Sequence, residues 1–316
     1  MIMIGGRSLG PGALAVLDPV GAAWGELGQP LVSGLVFSSI VILGSIGLAL
    51  AYSISDFPNF AHGDLMTVGA YAALTVNVIL GMHLAVGLIV AMLVAALVAV
   101  GTHWAVFRSL RGRSIELLIS SIGVAFIYRA LIIMRFGNGS DSYDVGGRRG
   151  IEAIDELLGV SLTPRGAVTI GVTVLLVAAL HVTLQYTSLG RMMRATAADQ
   201  DLARVSGIRT GRVLAAMWLI GGALAGAAGV FLGLDLLVRP RVGFSILIVL
   251  FAAVILGGIG SVYGAMLGGL VIGMAYELTP LLPAIGSEYK AAVAFVILIA
   301  VLLVRPTGIA GGKSTA

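Results

Sequence analysis

The chain has 316 residues, 59% of them hydrophobic and only 11% charged, with a formal net charge of +4. An ordinary soluble domain is nearer a quarter charged, and a water-soluble globule of this size would need more polar surface than so few charges supply. Cysteine is absent, which excludes a disulfide framework, a thiolate nucleophile and a cysteine-ligated metal site.

The solvent that accepts so much apolar surface is a bilayer. Segments of about 20 apolar residues cross it, and each must be helical because lipid offers no partner to backbone polar groups. Residues 1–30 carry Arg7 but also Pro11, Asp18, Pro19 and Glu26. They lack the apolar core of a secretory signal and read as an N-terminal lead-in at the interface or outside. Apolar segments follow at roughly 31–55, 61–80, 84–107, 115–135, 166–186, 212–234, 244–258, 261–277 and 289–304. The segments near 61–80 and 244–277 are rich in Gly and polar breaks, so some are expected to be broken or re-entrant. The sequence therefore predicts an all-α, polytopic transmembrane bundle of eight or nine membrane segments over 31–305, with a cytoplasmic tail at 306–316.

Loop charges orient it. Residues 108–113 hold three Arg and no acid, and 187–212 hold five Arg against Asp199 and Asp201. By the positive-inside rule both are cytoplasmic. The loop at about 136–165, with Asp141, Asp144, Glu152, Asp155, Glu156 and several glycines, then lies outside. Arg239 and Arg241 are a misfit, since parity places them outside too. Arg305 and Lys313 put the C-terminus inside.

Four motifs carry the functional reading. Five GxxxG pairs (Gly222–Gly226, Gly229–Gly233, Gly260–Gly264, Gly264–Gly268, Gly269–Gly273) permit close helix approach, either at a subunit or pore interface or, more simply, within one bundle. Between the first two segments, DFPNFAHGD at 56–64 sets Asn59, His62 and Asp64 beside Pro58 and Gly63. Ionisable residues at membrane depth mark a pathway; the plainer account is a polar turn in which Asn59 or Asp56 caps the next helix. In the run 187–212, Ala195, Ala198, Leu202 and Val205 recur every three or four residues and Gly207 can end a helix. A short amphipathic helix there suits a soluble partner, while its arginines equally suit anionic headgroups. The tail Gly311-Gly-Lys-Ser-Thr315 mimics a phosphate loop, but position 307 is Thr where the motif needs Gly. His83, His103 and His181 show no paired ligand spacing, so no metal site is expected, and no GxSxG elbow is present.

Three stretches then carry a resemblance: Gly34–Tyr71 with its NFAHGD core at Asn59–Asp64, Leu189–Gly233, and Phe251–Gly273. In this order they resemble the LivH-like permeases of branched-chain amino-acid ABC importers. The resemblance implies a permease subunit with no enzymatic activity or cofactor of its own. It importantly implies partners: a second permease, a paralogue of this one, two cytoplasmic ATPases that bind the ATP, and an extracytoplasmic substrate-binding protein. It implies that Asn59, His62, Gly63 and Asp64 belong to the translocation pathway. It implies that Arg191, Arg194, Ala195, Ala198, Leu202, Val205 and Gly207 belong to the loop that couples to the ATPase, although no Glu opens that segment as in the EAA form. The expected substrates are branched-chain or other hydrophobic amino acids or related small amides, and the expected location is the prokaryotic inner membrane. An ion-coupled secondary transporter is the alternative, with discontinuous helices near 56–64 and 256–264 as its ion site; an intramembrane enzyme is the weaker one.

Overall fold

The computed structural model describes residues 3–4, 7–8, 19–110, 113–146, 160–281 and 286–310. Met3–Ile4 (β1) and Arg7–Ser8 (β2) pair as a two-residue antiparallel ribbon. Helices follow: α1 (Pro19–Ser55), α2 (Ala61–Leu74), α3 (Leu84–Ala105), α4 (Ser114–Phe136), α5 (Pro164–Tyr186), α6 (Ser188–Ala198), α7 (Gln200–Val205), α8 (Thr210–Asp235), α9 (Val242–Gly257), α10 (Val262–Leu278) and α11 (Lys290–Val304). Seven are long and apolar enough to cross a membrane, α10 and α11 when counted with the 3-10 turns Thr279–Leu281 and Ser287–Tyr289 that extend them. The shorter α9, and α2 with its π-helical continuation Thr75–Ile79, complete the nine expected apolar segments. The fold is an all-α, polytopic membrane bundle. The first helix begins at Pro19, inside the stretch read as a lead-in.

The starts follow local chemistry. The Thr163 hydroxyl accepts from Gly166 N ahead of α5, with Pro164 at the first helical position. Ser261 accepts from Gly264 N at α10, and the His83 ring from Ala85 N at α3. Each cap satisfies a backbone donor that the helix itself leaves open.

At the centre lies α2, the most polar of the membrane helices, with every residue buried except Val68 and Ala72. It is wrapped by α8, α3, α9 and α4. Small residues make the wrapping possible. A Cβ on Gly69 would come within 2.5 Å of the Gly226 Cα, and one on Gly222 within 2.8 Å of the Ala95 carbonyl oxygen. Gly229 abuts the Met66 backbone, Gly268 the Ala253 carbonyl, and Gly273 lies against Ser38. The GxxxG spacing is therefore spent on packing within the chain, as general membrane helix physics allows.

Cross-links sort the loops onto two faces. On one face Gln29 exchanges hydrogen bonds with the Ser161 backbone, Asn77 with the Asp144 backbone, and Asp141 forms a bridge to Val238 with both bonds at 2.9 Å. The Arg165 guanidinium donates to the Val145 and Gly146 carbonyls and holds the loop down. Tyr143 donates to the Ala70 carbonyl at 3.0 Å, and burial pushes its phenol well above the ordinary tyrosine range. On the opposite face the ends of α1, α3 and α6 and the start of α4 meet round one cavity, and Ile309 N donates to the Leu256 carbonyl. The arginine-rich segments thus share one face, and 136–146 the other. The Asp141–Val238 bridge puts Arg239 and Arg241 with the latter, so their misfit to the charge rule is real. Arg111 of the first basic loop, the acids Glu152, Asp155 and Glu156, and the GGKST tail with Lys313 lie outside the described residues.

A cysteine-free chain makes this orientation directly testable. Ser206→Cys is expected to react with a membrane-impermeant maleimide only after spheroplasts are permeabilised, and Ser140→Cys before. Labelling of Ser206→Cys in intact spheroplasts would invert the topology.

Candidate functional site

The 56–64 segment enters the bundle from the arginine-rich face. Asp56 caps the turn in a left-handed conformation (φ 53°), which asparagine and aspartate tolerate better than other side-chain residues. Non-helical backbone then runs to α2, and it is allowed at membrane depth because protein buries it. Phe57 is 1% exposed and packs on Phe107 and Trp218. The Asn59 amide oxygen accepts from Ala61 N at 3.0 Å, the capping role its position suggests. Phe60 N donates to the Ser121 hydroxyl of α4.

The remaining polar groups are engaged with neighbouring helices. His62 Nε2 donates to the Gly44 carbonyl of α1 at 3.0 Å; a carbonyl only accepts, which fixes the proton on Nε2. Gly63 faces Gly243, where a Cβ would stand 2.6 Å from the Gly243 carbonyl oxygen. Thr67 accepts from Gly243 N. Asp64 is fully buried and meets Arg129 of α4 in a fork, Nε to Oδ1 at 3.1 Å and Nη2 to Oδ2 at 2.9 Å. The Arg129 guanidinium also lies 4.5 Å from the Phe244 ring centroid. So Asn59, His62, Gly63 and Asp64 do come together round α2, each held by an internal partner. Arg129 is the residue that sequence reading missed. Its signal was present: Arg129 stands well inside the apolar run 115–135, whereas Arg135 only ends it, and an intramembrane charge implies a partner.

The second site is the 187–207 segment. Thr187 alone separates α5 from α6, and its hydroxyl accepts from Gly190 N. Gly190 lies directly against the Thr183 and Leu184 carbonyls, where no side chain fits. Arg194, itself exposed, donates to the Leu184 carbonyl and so caps the end of α5. One continuous helix from 191 to 205 does not form: Asp199 is extended (φ −158°, ψ 112°) and its carboxylate caps α7 at Leu202 N. Aspartate competes with the helix interior and favours the cap. Past α7, Gly207 N donates to the Arg204 carbonyl and Ile208 N to the Ala203 carbonyl. With Gly207 at φ 85° this is a Schellman stop. Met193, Thr196 and Ala203 are buried and seat the pair on the bundle. Arg191, Ala195, Ala198 and Arg204 are exposed, as are Leu202 (62%) and Val205 (81%). The pair overlies a cavity of about 510 Å³ lined by Asp56, Phe57, His103, Leu117, Asp199 and Gln200 among others. Among the described residues, no His, Asp or Glu cluster has the geometry of a metal site.

The chain matches the family model of the permease component of branched-chain amino acid transport systems over residues 31–302. It is 35% identical over 298 residues to the high-affinity branched-chain amino acid transport system permease protein LivH of Salmonella typhimurium, covering 90% of this chain and 95% of that one. BraD of Pseudomonas aeruginosa, a protein of the same description, is 33% identical at the same coverage. A probable LivH of Methanocaldococcus jannaschii is 31% identical, covering 90% of this chain and 94% of its own length. Among solved structures, PsaBC from Streptococcus pneumoniae in complex with Fab superposes with a TM-score of 0.49 at 14% identity, covering 89% of this chain and 92% of that one. A match along nearly the whole membrane domain, covering nine-tenths or more of each relative, makes this chain a member of the permease family of branched-chain amino acid transport systems.

Proposed function

We propose that the chain imports branched-chain or other hydrophobic amino acids, or related small amides, as one permease of an ATP-driven complex in the prokaryotic cell membrane. Its partners in this reading are a paralogous second permease, two cytoplasmic ATPases that bind the nucleotide, and an extracytoplasmic binding protein. The observation that carries the reading is the joint between α5 and α6. A single residue, Thr187, separates them, and Gly190 and Arg194 lock the first turns of α6 onto the end of α5. A force on the exposed α6–α7 surface therefore reaches a membrane span without a flexible linker to absorb it. ATP binding closes the ATPases, the α6–α7 pairs move with them, and differential affinity of the partners for two permease states switches access. His62, Gly63 and Asp64, with Asn59 at the entry to their helix, keep a place in this scheme as the core of the central helix against which the pathway walls move.

The test is reconstitution. With both permeases, the ATPases and the binding protein in proteoliposomes, radiolabelled leucine uptake is expected to require ATP and to be indifferent to ionophores. Uptake by the permeases alone, driven by an ion gradient and abolished by ionophores, would replace this reading with a secondary transporter.

A further inference from the structure

We propose that His181, Gln185 and Tyr263 line the translocation route at its cytoplasmic end; the proposal rests on the importer reading above and assigns it residues. His181 and Gln185 stand on α5 and Tyr263 on α10, and all three are exposed on the outside of the chain, Tyr263 at 38%. The helices that carry them flank α1, against which each packs. Gln185 Nε2 donates to the Tyr263 oxygen at 2.9 Å, and that oxygen lies 3.0 Å from His181 Nδ1. The His181 and Tyr263 rings meet edge to face at 5.7 Å between centroids.

The hydrogen bonds have one arrangement in which every group has a role. The Gln185 N–H donates to the phenol oxygen, the phenol O–H donates to His181 Nδ1, and the imidazole carries its hydrogen on Nε2. That leaves the His181 Nε2–H, the Gln185 amide oxygen and the second Gln185 N–H without a partner in the network, on the outer surface of a membrane helix. Hydrocarbon leaves such groups unsatisfied, and polar residues in membrane helices face a water-filled cavity or another protein. An aromatic belt at the headgroups explains a tyrosine; it does not explain an amide and an imidazole wired to it across two spans.

The position suits a gate. Gln185 lies one residue from the end of α5, and His181 about one helical turn further in. Both are within two turns of Thr187 and the α6 lock, so the wall that moves with the ATPase carries them. Gly171, Val174 and Ala178 continue their line along α5 at spacings of three and four, and all are exposed. The wall therefore runs outward from the polar trio as a narrow strip of small and apolar side chains, which suits a substrate with a zwitterionic head and an aliphatic tail. Neutral donors and acceptors let the head pass where a fixed charge would hold it.

The cysteine-free chain again supplies the test. His181→Cys and Gln185→Cys, each in the full reconstituted complex, are treated from the cytoplasmic side with a charged methanethiosulfonate. Both are expected to be modified at least fivefold faster in one nucleotide state than in the other, and more slowly with leucine present. Leu175→Cys, on the other edge of the exposed α5 surface, is expected to react only with a lipid-soluble maleimide. If His181→Cys and Gln185→Cys behave as Leu175→Cys does, the trio faces lipid and the proposal fails. If they react with the charged reagent at one rate in all states, the trio is ordinary wet surface and the proposal fails as well. Should one variant not assemble, the other carries the test. ATP-dependent uptake by the unsubstituted complex is measured alongside, so loss of the importer reading is seen separately.

Discussion

Asp64→Ala is expected to destroy the folded permease rather than only its transport, and Arg129→Ala to do the same. The two side chains form a forked ion pair at 2.9 and 3.1 Å, with Asp64 fully buried and Arg129 8% exposed. Removing one partner leaves the other charge buried and unmatched, which costs about 3–5 kcal/mol. Removing both is a different experiment. Asp64→Leu with Arg129→Met replaces the pair by apolar groups, and buried pairs exchanged in this way are often neutral. Each single variant should therefore vanish from the monodisperse peak on size-exclusion chromatography in detergent, while the double variant returns to it. Leucine uptake by the double variant then separates two roles. Restored assembly with restored uptake makes the pair a structural clasp between α2 and α4. Restored assembly without uptake gives the charges a part in transport itself. Single variants that assemble normally would show that water reaches the pair and that the burial argument is wrong.

The sequence foretold the membrane layout because the bilayer imposes it. Nine apolar runs became nine helical segments, since a helix is the arrangement in which a single segment satisfies its own backbone groups in lipid. The capping role of Asn59 was readable because its partner, Ala61 N, lies two residues away. So was the Schellman stop at Gly207, which uses only local backbone. What distance hides is partnership. Asp64 and Arg129 are 65 residues apart, and nothing near either one names the other. His181 and Tyr263 are separated by 82. The GxxxG pairs signalled close approach, but only the fold shows that Gly226 meets Ala91 and Gly69 rather than a second subunit. The break at Asp199 was legible and was overridden by periodicity. Spacing of three and four ran on through Ala195, Ala198, Leu202 and Val205, while an aspartate three residues before Leu202 is itself the mark of a new helix start.

That break sharpens the last expectation. The exposed apolar residues Leu202 and Val205 now stand on a short helix of their own, α7, held to the bundle by Ala203 and ended by Gly207. Large side chains exposed to this degree beside Arg204 form an apolar centre with a charged rim. In protein interfaces the centre carries most of the binding energy and the rim mainly the rate of encounter. Leu202→Asp together with Val205→Asp is therefore expected to weaken ATPase binding to the nanodisc-embedded permease by a hundredfold or more, from about 2 kcal/mol at each of the two positions. Ala198→Trp, at the mouth of the cavity beneath the two helices, is expected to uncouple leucine-stimulated ATP hydrolysis. Arg204→Ala should do far less. Its one ion pair among the described residues is with Asp201 at 3.5 Å, with the two side chains 55% and 90% exposed, and such pairs contribute about 0–1 kcal/mol. If the segment were instead held to anionic lipid, the order would reverse, because each surface arginine then contributes about 1 kcal/mol and the apolar pair little. Co-purification of the ATPase with each variant decides between them. Normal binding by the double Asp variant, with loss in Arg204→Ala alone, would show that α7 rests on the membrane and not on the motor.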